Sequence, residues 1–257
     1  MSGDPVVFSA FDESAFVVRA IRALEALPSN LPPWALIGGV AVSVNLAGQH
    51  RPTGDLDSVS LDREETIALL TANGATLTTN GVALGDTTGA VEFDVIDVSV
   101  GDEEDGAYLA HRLALESATP VRLMVVDRRS KPLVDHTLTV ATPGALVAMK
   151  LHAVAGRRAV RPDKRSGDLF DIASLVIRHG PTSIADELNA APEPLVVSCA
   201  DLVGRYFQSE LTATMRSLRV DSREQVNSLI SEDLKDVATL EQLLRPRRTR
   251  PRTPPNS

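Results

Sequence analysis

The sequence predicts a mixed α/β region followed by an all-α region. Two patterns carry that expectation. Up to about residue 140, short runs rich in β-branched residues alternate with segments of helical period, and from Pro143 onward the spacing is helical almost to the end. Composition sets the frame: 257 residues with 43% apolar and 23% charged side chains are ordinary for a folded protein with a sizeable core. No apolar run approaches the roughly 18–20 residues of a bilayer-spanning helix. The N-terminus, MSGDPVVFSAFDESAF, lacks the basic start and apolar stretch of a signal peptide. Cys199 is the single cysteine, which excludes internal disulfides and thiolate metal clusters and makes a reducing cytoplasm the expected home.

Taken in order, residues 12–28 place Phe16, Val17, Ile21, Leu24 and Leu27 at helical spacing behind Asp12 or Ser14 as N-cap. The break at Asn30–Pro33 is followed by a short buried strand, 34–37, that ends at Gly38-Gly39. A valine-rich helix is expected over 40–48, against local propensity. A second strand fits 55–61, and a helix from Asp62 to Asn73 is closed by Gly74. Strands fit 75–84 and 90–100, separated by the turn-forming 85–89, then 120–127 and 133–140. Helices are expected over 143–155, 167–179, 194–218 and 222–244. This divides the chain into an α/β core (1–140), a helical lobe (141–244) and a tail (245–257).

The tail holds Arg245, Arg247, Arg248, Arg250 and Arg252 among four prolines, the composition of a solvated, disordered terminus. With those arginines removed, 21 basic against 34 acidic residues leave the body near −13, compared with −8 for the whole chain. That balance argues against a protein that coats DNA, because phosphate binding draws on many Lys and Arg contacts. It does not exclude local basic patches.

The informative stretch is 34–61. On a strand, Asp55 and Asp57 project from one face. Two close carboxylates repel unless a cation or a proton intervenes, and Mg²⁺, which takes carboxylate and phosphate oxygens, suits such a pair. Gly38-Gly39 closes a strand and opens a helix, where free backbone N–H groups favour a phosphate. Ser43 and Thr53 add nearby hydroxyls. The strand V91-E-F-D-V-I-D-V98 offers Glu92, Asp94 and Asp97 as a further carboxylate, Glu92 and Asp94 on one face and Asp97 on the other. Asp94, flanked by apolar residues, is the first choice. Lys150 ends an apolar run, and Arg157, Arg158, Arg161, Lys164 and Arg165 crowd one loop, where they are either solvated or a clamp for phosphates. Asp168 and Asp171, three apart, share a helix face. They either orient Lys150 or the loop arginines, or one serves as a base. The five histidines show no metal-ligand spacing, and His50 beside Arg51 is the one placed for substrate contact. Walker, G-x-S-x-G and G-x-G-x-x-G motifs are absent.

G38-G39-V-A-x(9)-R51-P-T53-G-D55-L-D57 resembles the nucleotidyltransferase superfamily typified by DNA polymerase beta, and within it the AbiEii-type toxins of abortive-infection and toxin–antitoxin systems. Lys150-Leu151-His152-Ala153 and Lys164-Arg165-Ser166-Gly167-Asp168-Leu169-Phe170-Asp171 are similar to later motifs of the same family. Relatives often carry Lys directly before the first Asp of the last motif, whereas Lys164 lies four residues before Asp168. The segment after Asp57 also departs, reading S-V-S. The resemblance implies a nucleotidyltransferase-like α/β fold and transfer of a nucleoside monophosphate from an NTP to an acceptor hydroxyl. It implies Mg²⁺ on Asp55, Asp57 and Asp94, catalytic Lys150 and Asp168, and nucleotide contacts from Gly38, Gly39, Ser43, Arg51, Thr53, Lys150 and Asp171. The implied acceptor is a tRNA 3′ end, and the implied partner is an antitoxin. The alternatives are a small-molecule enzyme of the aminoglycoside-modifying kind and a catalytically idle nucleotide-binding module.

Overall fold

In a computed structural model of the chain, residues 4–48, 53–85, 89–156, 162–221 and 233–244 are described. Eight strands form one mixed sheet in the order β1-β7-β8-β2-β3-β6-β5-β4. They are β1 (Val6–Ser9), β2 (Trp34–Ile37), β3 (Asp55–Ser60), β4 (Thr76–Leu77), β5 (Gly81–Leu84), β6 (Val91–Asp97), β7 (Thr119–Val126) and β8 (Pro132–Val140). The central strand β3 runs antiparallel to β2 and parallel to β6. The α/β expectation therefore holds, with the sheet ending at Val140 and only helices following it among the described residues.

Helices α1 (Phe16–Glu25), α2 (Gly38–Asn45), α3 (Arg63–Ala72) and α4 (Gly106–Glu116) flank the sheet. Asp62 caps α3 by accepting a bond from the Glu65 N–H at 2.9 Å, and Gly74, with φ +95°, closes it as the sequence predicts. Ser60, on the strand face opposite Asp57, bonds Thr66 of α3 at 2.8 Å, so α3 covers that face. Helix α2 is buried from Gly39 to Val44, Ser43 included. An all-round apolar surface suits a helix enclosed by its neighbours and explains valines that local propensity disfavours. It packs on α5 (Pro143–Gly156), which pairs with α6 (Pro162–His179).

The remaining helices are α7 (Pro181–Asn189), α8 (Glu193–Gly204), α9 (Leu211–Asp221) and α10 (Asp233–Leu244). The single helix expected over 194–218 is interrupted by a π-helical segment, Arg205–Ser209, which separates α8 from α9. The strand expected over 75–84 is the β4–β5 hairpin instead. Helix α6 begins at Pro162, earlier than the spacing indicates. Strand β1, α4 and α7 are additional elements. The expected helix over 222–244 is described only from Asp233, and the tail, Arg51 and the loop arginines 157, 158 and 161 lie outside the described residues. Buried side chains of sheet and helices form one continuous core. Among the described residues no helix is long and apolar enough to cross a membrane.

Helix α4 is locked against α5 and α8 through His152. The ring Nε2 lies 3.2 Å from Ser198 Oγ, and a Cβ at Gly106 would collide with the ring. Burial holds both His152 and His111 below the usual imidazole range, Asp105 opposing that shift in each and His111's charge adding to it for His152. A base with a lowered folded-state pKa binds its proton more readily when unfolded. Its contribution is therefore complete above the unfolded value of about 6.5 and is lost as pH falls below it toward the folded pKa. Urea midpoints measured from pH 7.5 to 5 should drop below about pH 6.5, and His152→Asn should flatten that slope.

Candidate active site

The site grows from the junction of β2, α2 and β3. Ile37 pairs with Asp57 across β2 and β3, and the chain turns directly into α2 at Gly38, whose φ is +70°. A Cβ at Gly38 would overlap the Asp57 carboxylate, so both the left-handed backbone and the close approach demand glycine. One residue on, a Cβ at Gly39 would meet Thr53 Oγ1 at 3.0 Å. Thr53 Oγ1 donates to Asp55 Oδ1 at 3.1 Å. Gly38, Gly39, Thr53, Asp55 and Asp57 thus form one contiguous group, and Ser43 follows Gly39 by one helical turn on the buried α2.

The parallel register of β3 and β6 sets Asp57 beside Asp94 and Asp55 beside Glu92. Asp94 is partly buried and accepts a long bond from Asn80 Nδ2 at 3.4 Å, whereas Glu92 is exposed. Asp97 sits on the other face opposite Ser60, where it receives the Ser99 N–H at 2.9 Å. Of the three candidates on this strand, Asp94 is the one set next to Asp57.

From the helical side, Lys150 of α5 is gripped by two carboxylates of α6, Asp168 at 2.8 Å and Asp171 at 2.7 Å. Both acids are essentially inaccessible, at 2% and 0% side-chain exposure, so the Lys150 ammonium has little freedom to move. Burial, then Asp55 and Asp94, push the Asp57 carboxyl above the usual carboxylate range, while Lys150 and Lys164 act in the opposite sense. The Lys164 charge thus acts on Asp57 in the same sense as Lys150, although the sequence pattern left its role open. Its four-residue offset from Asp168 is one helical turn, which keeps both residues on one side of α6. That spacing was the available signal. Asn80 had none, because its loop reaches Asp94 only through the β5–β6 pairing.

Five carboxylates (Asp55, Asp57, Asp94, Asp168 and Asp171) share this region with Lys150 and Lys164, an excess of negative charge among the described residues. Among those residues no group of three or more His, Cys, Asp or Glu side chains is gathered closely enough to hold an ion by itself. The donor set around Asp57 is nevertheless carboxylate and hydroxyl oxygen, and burial, with repulsion from Asp55 and Asp94 added to it, raises its central acid. Such a set fits a hard divalent cation, Mg²⁺ or Mn²⁺, that keeps part of its shell for water and phosphate.

A glycine turn thus lies against paired carboxylates on a sheet, with the charge of a buried lysine acting on them from the helical side. The profile of the family described as "Nucleotidyl transferase AbiEii toxin, Type IV TA system" matches residues 22–243, and the chain belongs to that family. No curated protein matches it. A solved antigenic nucleotidyltransferase-like protein from Paracoccidioides brasiliensis shares the fold at TM-score 0.50 and 18% identity, covering 80% of this chain and 94% of that one. ANT(2″)-Ia in complex with adenylyl-2″-tobramycin aligns at TM-score 0.41 and 15% identity over 76% of this chain and 98% of its own.

Two substitutions probe this geometry through stability. Gly38→Ala should cost about 1–2 kcal/mol for the left-handed backbone alone, plus the collision with Asp57. Lys150→Met removes the ammonium that both buried carboxylates grip and should cost about 3–5 kcal/mol. Adding Asp168→Asn and Asp171→Asn should return a large part of that loss, as read by urea unfolding.

Proposed function

We propose that this enzyme moves a nucleoside monophosphate from an NTP to a hydroxyl of the 3′ end of tRNA, and so stops growth as the toxin of a toxin–antitoxin pair. The observation that carries the reading is the placement of Asp57 between Asp55 and Asp94, with the Gly38-Gly39 turn against its carboxylate and the charge of Lys150 acting on it. Residues 1–140 would act as the catalytic core, with residues 141–244 supplying Lys150 and closing over the nucleotide.

Asp55, Asp57 and Asp94 would hold Mg²⁺, which when bound lowers the pKa of the attacking hydroxyl and stabilises the leaving oxygen. The acceptor oxygen bonds to the α-phosphorus as the bond to the β-phosphate oxygen breaks. Pyrophosphate leaves, and the hydroxyl proton passes to a carboxylate oxygen of Asp94. The Gly38 and Gly39 backbone N–H groups, with Thr53 and Ser43, would donate to the phosphates, as would Arg51. Lys150 would oppose the charge that builds on them. Its two ion pairs favour an orienting role for Asp168 and Asp171 over a role as base. Membership of a type IV toxin family supports a protein antitoxin. The family membership and the acidic cluster support the metal, and the tRNA acceptor rests on family resemblance.

The test supplies Mg²⁺, each α-³²P-labelled NTP in turn and total tRNA, with Asp57→Asn alongside. Label should appear on tRNA with one preferred base, should require Mg²⁺, and should fall by at least about 10²-fold in Asp57→Asn, the scale of losing a group that stabilises the transition state. Label on an aminoglycoside panel but not on tRNA would overturn the acceptor. NTP binding without transfer to any acceptor would indicate an idle module.

A further inference from the structure

Beyond the carboxylate cluster, two buried polar atoms lie close together with no hydrogen-bond partner among the described residues. They sit where α6 meets the π-helical segment Arg205–Ser209. Tyr206 is wholly buried, and neither its Oη nor Arg165 Nε has a hydrogen-bond partner among the described residues. A buried donor without an acceptor is costly, and such groups call for an absent water, ion or ligand. Arg165 Nε can only donate, and the Tyr206 hydroxyl has a proton to give, so one acceptor would satisfy both.

The surroundings favour an anion. The guanidinium carbons of Arg165 and Arg205 lie 5.4 and 5.5 Å from the Tyr206 ring centroid. Glu210 faces both arginines, 3.0 Å from Arg205 Nε and 3.9 Å from Arg165. Two cations against this carboxylate make a positive spot in a chain of net charge −8. Only the rim of the group reaches the surface: side-chain exposure is 13% for Arg165, 24% for Glu210 and 41% for Arg205, whereas Tyr206 Oη and Arg165 Nε are themselves buried.

Backbone bonds hold the segment in its unusual turn. Glu210 N–H donates to the Arg205 carbonyl at 2.7 Å, and Thr214 Oγ1 donates to the Tyr206 carbonyl at 2.7 Å. Single π-turns of this kind recur at functional sites. Arg165 also precedes Asp168 by three residues on α6, so the group adjoins the acid that grips Lys150.

We infer that Arg165, Arg205 and Tyr206 form a phosphate subsite beside the catalytic centre, with Glu210 holding the two guanidiniums until phosphate displaces it. A phosphate offers enough oxygens to accept from the phenol, from Arg165 Nε and from the Arg205 fork together. The inference rests on the proposed nucleotidyl transfer for the source of that phosphate, either the nucleotide's tail or the acceptor strand's backbone.

Binding without turnover tests it on the full chain. Inorganic tripolyphosphate is titrated by calorimetry, and a labelled RNA oligonucleotide with a free 3′ hydroxyl is followed by anisotropy. Tyr206→Phe removes only the unpaired hydroxyl, so its melting temperature should match or exceed that of the wild type while one of the two anions binds roughly tenfold more weakly, the scale of one charge-assisted bond. Arg205→Ala, at the exposed rim, should weaken the same anion, and Glu210→Gln should tighten it. Weaker tripolyphosphate binding identifies the nucleotide tail, and weaker RNA binding the acceptor strand. Both anions within twofold of wild type in Tyr206→Phe and Arg205→Ala, or a lowered melting temperature in Tyr206→Phe, would overturn the subsite. Failed transfer to tRNA with these binding changes present would instead overturn the proposed function alone.

Discussion

Like-charge crowding on one face of β3 and β6 is the constraint around which the rest of the molecule is arranged. Asp55, Asp57 and Asp94 cannot be spread apart, because the parallel register fixes Asp57 beside Asp94 and the alternation of β3 puts Asp55 on the same face. A fold selected for stability alone has no use for such a set. The neighbouring residues accommodate it: Gly38 gives up a side chain to leave the Asp57 carboxylate room, and Thr53 supplies a hydroxyl to Asp55. The opposite face of the same strands is ordinary core, with Leu56 and Phe93 buried. One strand pair thus presents core side chains on one side and gathers the carboxylates on the other.

The helical region answers this negative charge with Lys150, held in a fixed position by two ion pairs. Lys150 would be a costly core residue without a counter-charge, and two carboxylates grip it from the next helix. Burial of this kind adds little net stability, but it restricts where the ammonium can point. Because α6 carries Asp168, Asp171 and Lys164 together, one helix both anchors Lys150 and contributes a second charge toward Asp57. The same helix carries Arg165 to the π-helical turn, which links the carboxylate centre to the second cluster of donors.

Much of this was legible in the sequence because it is local. The buried run Trp34–Ile37 before two glycines, the D-x-D of β3 and the helix start at Asp62 each announce themselves within a few residues. What escaped depends on distant partners or on short length. Strand β1 has four residues and is a strand only because it pairs with β7, more than a hundred residues away. Helix α7 is nine residues long, too short to show a clear period, whereas α4 did carry a local start signal, Asp105, which caps it by accepting from the Ala107 N–H at 2.9 Å. The π-turn at Arg205 has no turn residue beyond Gly204, whose missing Cβ makes room for Glu241 at 3.1 Å. In the site, the choice among Glu92, Asp94 and Asp97 was open in sequence because period alone could not supply the register against β3.

The proposed function requires that the carboxylates of β3 and β6 bind a divalent cation. The direct measurement is a titration of Mn²⁺ followed by electron paramagnetic resonance, paired with melting temperatures with and without the ion, for wild type and Asp57→Asn. Without cation, Asp57→Asn should melt higher than wild type, because relieving cross-strand repulsion is worth roughly 0.2–1 kcal/mol. With Mn²⁺ the order should reverse, since only the wild type binds the ion and gains stability from it. Equal Mn²⁺ binding by both proteins, or a cation-free wild type more stable than Asp57→Asn, would contradict the account.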